Sequence, residues 1–507
     1  MNYCLALSAG ILYFLGFAGI DFWPCAMLAY VPIQLALERV PVARPKDTIK
    51  LGLLFGFVAM FGGYYWLIHV LREFSGFPLP ICVALASLLV LQQAGAFGLF
   101  AYIWWLGRRC EVNLTLRLVV AATCAEFIYP MLFPYYYGAS FHTIPVLLQT
   151  AELGGPLLVS ALCFVINGTI FEAWHARYVS RTSPRRALTV GGAVVLAVTV
   201  FGIVRMQQVD SRAKQAPKIS VGLVQANMDT FGKRDDPIEG LRRHLRLSRD
   251  LERNGTQPGL IVWPESSYAW ALPEGLKNVR RAVTGSLSTP ILFGAISRRN
   301  GSSVPKIFNT AFITDAEGNI QGSYDKTYLL AFGEYLPFGD LFPVLYEWSP
   351  NSGHFSKGAH VNALPLGKWR IGTLICYEDI LPAFVRKVVR HSDPHFLVNI
   401  TNDSWFGDTT EPWEHLALSK LRSVEHRRFL LRATNSGVSA IIDPVGRVVD
   451  QTKLFREQTL QGEVSMLKGQ TFYSLTGDWP GWLSLALSGW WLLCLLRRRS
   501  VHKRGKQ

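Results

Sequence analysis

The chain has 507 residues, half of them hydrophobic and 17% charged, with a mean hydropathy of +0.21. That hydropathy is high for a soluble protein of this size, and the length exceeds one ordinary core, which implies two or more domains. The net charge of +15 would suit a nucleic-acid binder, but the placement of the basic residues gives it another meaning.

From Met1 to about Arg205, apolar stretches alternate with short polar loops. A bilayer core about 30 Å thick needs roughly 20 apolar residues as a helix. Seven stretches are candidates, at residues 3–19, 22–37, 51–71, 79–106, 114–133, 146–171 and 187–204, and an eighth runs over 479–496. The first lacks a basic leader and is followed at once by another stretch, so it reads as a retained helix and not a cleaved signal.

Arg39, Arg44, Lys46 and Lys50 follow the second stretch, and Arg108, Arg109 and Arg117 follow the fourth. Arg177, Arg181, Arg185 and Arg186 follow the sixth, and RRRSVHKRGK follows the eighth. The alternate loops carry little or no basic charge; PYYYGASFHTI has none. Short loops rich in Lys and Arg stay in the cytoplasm. All four basic loops then fall on one side and the soluble part on the other. The expected organisation is a seven-helix transmembrane domain over 1–205, a soluble domain over 218–468, a C-terminal transmembrane helix over 477–496 and a basic cytoplasmic tail over 497–507.

The soluble part alternates β runs with helical pattern, as a layered α/β domain does. KISVGLVQANM, GLIVWPESS, TPILFGAISR, WRIGTLICYED and PHFLVNITNDSWF each contain a strand. NTAFITDAEGNIQGSYDK and GVSAIIDPVGRVVDQ read as hairpins. LALSKLRSVEHRRFLLRAT has the length and period of an amphipathic helix.

Six cysteines, Cys4, Cys25, Cys82, Cys124, Cys163 and Cys494, lie in apolar stretches, and Cys110 lies in a basic loop. Cys376 is alone in the soluble part. A disulfide within that part is impossible, and no CxxC or His/Cys cluster suggests zinc. A lone thiol on the oxidising side of a membrane invites a chemical explanation. Three strand ends deliver groups suited to it: Glu265 in LIVWPESS, Lys326 in GSYDKTYL and Cys376 in GTLICYED. Taken singly, Glu265 reads as a turn or solvated residue and Lys326 as a surface charge.

Together, WPES, YDKTYLLAFGEYLP and LICYED resemble the nitrilase superfamily, which sets Glu, Lys and Cys on an αββα sandwich. With eight apolar stretches around it, the chain is similar to the bacterial apolipoprotein N-acyltransferases, and FGEY, TNDSWFG and LLRATNSGV look like further blocks of that family. The fold this implies is a polytopic α-helical membrane domain of about eight transmembrane helices plus a nitrilase-like αββα domain. The resemblance implies that Cys376 is the nucleophile, Glu265 the general base and Lys326 the cation beside the oxyanion. It also implies that Glu334 orients Lys326 or assists as a second acid, that Tyr377 and Glu378 shape the site, and that Asn309 lies near it. The plainer alternative for Glu334 and Glu378 is that they satisfy buried backbone amides. Alternation along an extended segment would point Glu378 away from Cys376. Trp405 and Phe406 line a lipid entrance or pack a loop.

The implied reaction moves a fatty acyl chain from a membrane phospholipid, through a Cys376 thioester, to the N-terminal amine of a diacylglyceryl-cysteine apolipoprotein. It needs no cofactor, metal or nucleic acid. The implied setting is the bacterial inner membrane with the catalytic domain on the periplasmic side, as a monomer. Two other readings are a membrane-anchored C–N or lipid hydrolase and a non-catalytic lipid- or lipoprotein-binding paralogue.

The chain departs from the family pattern at three places. Tyr129 stands where an Arg often follows a residue like Glu126; DTFGKRDD offers only Phe231 where a Trp is common; LAFGEY replaces V-P-F-G-E-Y. Glu126 and Glu152 lie within apolar stretches, where a carboxylate is costly. Each is either functional or a hydrogen-bonding link between helices.

Overall fold

The computed structural model describes residues 1–228, 236–253, 257–299, 305–348 and 352–504; Phe231 lies outside them. The chain forms two compact units. One contains Met1–Leu71, Phe77–Met206 and Thr476–Gln507; the other contains Arg72–Gly76 and Gln207–Leu475.

The first unit is helical. Among the described residues, four helices are long and apolar enough to cross a membrane: Leu79–Arg109, Ala151–Tyr178, Arg185–Gln215 and the one beginning at Trp479. Pro45–Gly63 and Trp66–Glu73 make a fifth if their 61° bend lies within one span. Three expected spans are shorter. Residues 3–19 give the 14-residue helix Asn2–Leu15, residues 22–37 the nine-residue helix Tyr30–Glu38 behind a short turn at Trp23–Met27, and residues 114–133 the 15-residue helix Leu114–Ile128. At 1.5 Å per residue these reach about 21, 14 and 22 Å.

The helix Ala151–Tyr178 breaks near its start, where Gly155 adopts φ +66° and Pro156 has no N–H to donate. The Leu153 carbonyl accepts a hydrogen bond from Trp479 Nε1 at 2.8 Å. Within the unit, Glu152 pairs with Arg205 at 2.6 Å, and Glu126 accepts the Tyr137 N–H at 3.1 Å. Both acids therefore link segments that the sequence separates.

The basic loops gather at one end of this unit. Arg108 and Arg117 both pair with Glu38, at 3.1 and 2.6 Å, and Arg108 also donates to the Leu37, Glu38 and Val40 carbonyls. Thr115 bonds Glu172, near the third basic loop, and Cys110 bonds the Trp491 carbonyl, near the fourth.

The second unit holds two sheets. The first contains β1 (Lys218–Gln225), β2 (Leu260–Val262), β3 (Tyr268–Pro273), β4 (Ile291–Arg299), β5 (Lys306–Thr314), β6 (Ile320–Asp325) and β13 (Gln458–Ser465), ordered β13-β1-β2-β4-β5-β6 with β3 on β4. The second runs β7-β8-β9-β10-β11-β12 from β7 (Leu364–Leu366) through β8 (Trp369–Ile375), β9 (Phe396–Thr401), β10 (Leu430–Thr434) and β11 (Ala440–Ile442) to β12 (Val448–Gln451). One apolar core joins inward faces of both sheets: Val221, Leu223 and Leu292 meet Leu374, Leu397 and Leu430. Leu247 and Leu251 of the helix Pro237–Arg253 cover the outer face of the first sheet. Helices Pro382–Ser392 and Glu411–His426 pack against the second. The layers are therefore α-β-β-α, because each sheet is apolar on both faces and needs a cover on each.

One expectation fails here. LALSKLRSVEHRRFLLRAT is not a single helix: it ends at His426, Arg427 turns the chain at φ +52°, and Leu430–Thr434 becomes β10. The strand is buried on both faces, so its apolar run carries no period-2 signal.

Candidate active site

The three strand-end residues converge. Glu265 follows β2, Lys326 follows β6 and Cys376 follows β8, so each side chain is aimed by the rigid edge of a sheet. Lys326 is 1% exposed and Glu265 7%. Burying an ammonium so fully requires anionic partners. Lys326 Nζ has two, Glu334 Oε2 at 2.8 Å and Glu265 Oε1 at 3.7 Å. Asn309, on β5 beside β6, donates to Glu265 Oε1 at 2.6 Å and to Glu334 Oε1 at 2.9 Å. It fixes the two carboxylates around the ammonium.

The backbone is fitted to bring these groups together. The Lys326 N–H donates to the Asn309 carbonyl and its own carbonyl accepts the Gly358 N–H, both at 2.8 Å. A Cβ at Gly358 would lie 2.2 Å from the Asp325 carbonyl oxygen, and one at Gly294 would lie 2.7 Å from the Glu265 Cα. Both positions need glycine because backbone passes where a side chain would stand.

Cys376 sits at φ +52°, a left-handed conformation that costs a non-glycine residue energy. The segment Cys376–Ile380 is a tight turn and not extended, which corrects the alternation argument for Glu378. The Glu378 carboxylate is buried and accepts from the Tyr324 hydroxyl and from the N–H groups of Thr327, Tyr328 and Ile375, at 2.7–3.0 Å. It ties the Cys376 turn to the segment just after Lys326, and three of its donors are backbone amides. Glu334 accepts one backbone N–H, from Leu330 at 2.8 Å, in addition to its ion pair with Lys326.

Electrostatics set the resting protonation. Burial pushes the Cys376 thiol up, the Glu265 charge adds to that, and Lys326 opposes it. Burial lowers Lys326, but Glu334, Cys376 and Glu265 more than offset it, so the side chain stays charged. The resting site is thus a thiol beside an ammonium and a carboxylate. A thiol held protonated needs a base at the moment of attack.

Beneath Cys376 lies a buried polar network that no sequence motif marks. Arg432, on β10, donates to Asp379 Oδ2 at 3.0 Å and Asp403 Oδ2 at 2.9 Å. His415 Nε2 meets Asp379 Oδ1 at 2.7 Å, and Ser419 Oγ donates to Asp379 Oδ2 at 2.5 Å. Burial would raise the Asp403 carboxyl, but Arg432 and His415 bring it down to about 2. Burial and Arg432 lower His415, while Asp379 and Asp403 outweigh them and raise it to about 9. Asp403, Glu411 and His415 place one ligand atom each within 4.8 Å of one another. That spacing suits a cation, yet the Arg432 guanidinium already faces both aspartates, so the protein supplies the positive charge. TNDSWFG and LLRATNSGV carry Asp403 and Arg432; nothing local marked them as partners.

Trp405 and Phe406 lie on the turn Asp403–Phe406; Phe406 is buried and Trp405 half-buried. Tyr377 is half-buried beside Cys376, near enough to Tyr335 to interact with it electrostatically.

The chain matches known proteins at both units. Residues 220–471 match the carbon-nitrogen hydrolase family, and residues 9–169 match the apolipoprotein N-acyltransferase N-terminal domain. The apolipoprotein N-acyltransferase of Geobacter metallireducens is 31% identical over 99% of this chain and 96% of its own length. That of Azotobacter vinelandii is 31% identical over 98% of this chain and 95% of its own. Apolipoprotein N-acyltransferase 2 of Leptospira interrogans is 30% identical, covering 88% and 87%. With identity at that level along both units, this chain belongs to the apolipoprotein N-acyltransferase family.

Proposed function

We propose that this chain moves a fatty acyl group from a membrane phospholipid to the N-terminal amine of a diacylated apolipoprotein, through a thioester on Cys376. The observation that carries the reading is the meeting of three strand ends at one buried ammonium and the half-buried residue Cys376. Glu265 accepts the Cys376 proton as sulfur attacks the ester carbonyl. Lys326 faces the oxyanion that develops, and Glu334 and Asn309 hold Lys326 and Glu265 in place. Collapse breaks the acyl C–O bond, Glu265 returns its proton to the leaving lysophospholipid, and the acyl group stays on sulfur. In the second half-reaction the amine attacks the thioester, Glu265 takes the amine proton and passes it to sulfur, which leaves as the thiol.

Both substrates are too apolar to leave a bilayer, so the site must work at its surface. The three shorter apolar helices complete eight membrane-embedded segments in this reading, with the basic end of the bundle cytoplasmic and the second unit periplasmic. A reporter active only outside the cytoplasm should be active when fused near Ser465 and silent after Arg499. The reverse pattern would refute the orientation. Trp405 and Phe406 lie near enough in sequence to Asp403 and Thr401 to flank the acyl entrance.

The acceptor distinguishes a transferase from a hydrolase. The acyl-enzyme should persist until a diacylated lipopeptide with a free N-terminal cysteine amine is added, because a closed site excludes water. Discharge should then give a hydroxylamine-resistant amide with ping-pong initial rates, and an N-acetylated lipopeptide should leave the acyl-enzyme intact. Decay to free fatty acid at one rate with or without acceptor would mean a lipid hydrolase.

A further inference from the structure

We propose that Thr401 is a further catalytic residue, whose hydroxyl partners the Cys376 sulfur and hydrogen-bonds the thiolate once Glu265 has taken its proton. The inference rests on Cys376 being the nucleophile and deepens that reading.

Register places the two residues together. Ile375 of β8 pairs with Ile400 of the parallel strand β9, so Cys376 and Thr401 leave their strands side by side. The Thr401 hydroxyl lies close enough to the sulfur to favour its ionised form. Thr401 is fully buried, so its hydroxyl has no water to turn to. Its second partner is Asp403 Oδ1 at 3.2 Å. Asp403 is in turn fixed by Arg432. The same guanidinium lies 3.3 Å from Asn399 Oδ1, and Asn399 Nδ2 donates to the Cys376 carbonyl at 3.0 Å. The buried network thus reaches the nucleophile twice, at its backbone through Asn399 and at its sulfur through Thr401.

A hydroxyl is suited to both states of the sulfur, because one O–H both donates and accepts. In the resting thiol, Thr401 gives its hydrogen to the ionised Asp403 and presents a lone pair to the S–H. When that proton passes to Glu265, the hydroxyl rotates and gives its hydrogen to the thiolate. No bond to Thr401 breaks, and the only proton transferred is the one moving from sulfur to Glu265. The charges acting on the sulfur are Glu265 after β2, Lys326 after β6 and Glu334 in the loop beyond it. Behind it, Arg432 and His415 face Asp379 and Asp403, and Glu378 faces backbone amides. Lys326 is the cation among the first group, so a second donor to the thiolate has a clear physical role.

The test is the rate at which iodoacetamide alkylates Cys376 in the full-length protein without lipid, followed by mass spectrometry of the Cys376 peptide. Alkylation reports the thiolate. Thr401→Val should slow it roughly tenfold at pH 7.5 and move its pH profile up by about one unit, with the unfolding midpoint as the control for folding. Thr401→Ser should restore the wild-type profile. If Thr401→Val does not fold, Thr401→Ala against Thr401→Ser gives the same comparison. A hydroxyl that only packs the turn would leave the rate unchanged on removal, or raise it as the turn loosens. Either result, or equal slowing in Thr401→Ser, overturns the proposal. Because no acyl donor is present, failure here is read separately from failure of the acyl-transfer reading.

Discussion

Cys376→Ala is expected to lower N-acylation of a diacylated lipopeptide by roughly 10⁴-fold or more, with no loss of folded protein. Cys376 is half-buried at the end of β8, so alanine leaves little cavity and keeps the Glu378 and Asn399 contacts to the turn, which involve backbone. Cys4→Ala, in the first apolar helix, should behave as wild type. Activity in Cys376→Ala within tenfold of wild type would rule out covalent catalysis at this position.

Glu265→Gln and Lys326→Met should each cost about 10²–10⁴-fold in thioester formation, but they should differ in their response to pH. The Glu265 charge helps to hold the thiol protonated. Gln removes both the base and that charge, so rising pH ionises the thiol directly and returns part of the rate. Lys326 is the charge that favours the thiolate. Met leaves Glu265 and Glu334 uncompensated, which drives the thiol further up, and no base restores the missing charge as the oxyanion forms. Rates of acyl-enzyme formation between pH 7 and 9.5 check this; equal rescue in both variants would mean that the two roles are misassigned. Lys326 is buried, so an unfolding midpoint must accompany that variant.

The three catalytic candidates were legible because each ends a strand whose apolar run is local. LIVWPES, GSYDK and GTLICYED carry their own boundaries, and the hairpins at Asp315–Asn319 and Asp443–Arg447 carry turn chemistry in Asp, Gly and Asn. Other features depend on distant partners. β13 exists because it pairs along its whole length with β1, more than 200 residues earlier. Arg427 ends a helix in a left-handed conformation that no glycine announced. Glu378 looked like a member of an extended segment, but its carboxylate collects donors from the segment after β6 and so closes a turn. The Arg432 network joins β9, β10, the Cys376 turn and the helix Glu411–His426, and only the folded sheet brings those four together. In the first unit, length misled. Apolar runs at 3–19, 22–37 and 114–133 include residues that fold as turns beside shorter helices.

The most direct test is the mass of the purified protein after incubation with a phospholipid of defined chains. The expected result is a gain of one acyl group, located on the Cys376 peptide, removed by hydroxylamine and missing from Cys376→Ala. An acyl adduct that persists in Cys376→Ala, or transfer to the lipopeptide with no adduct at any stage, would contradict it.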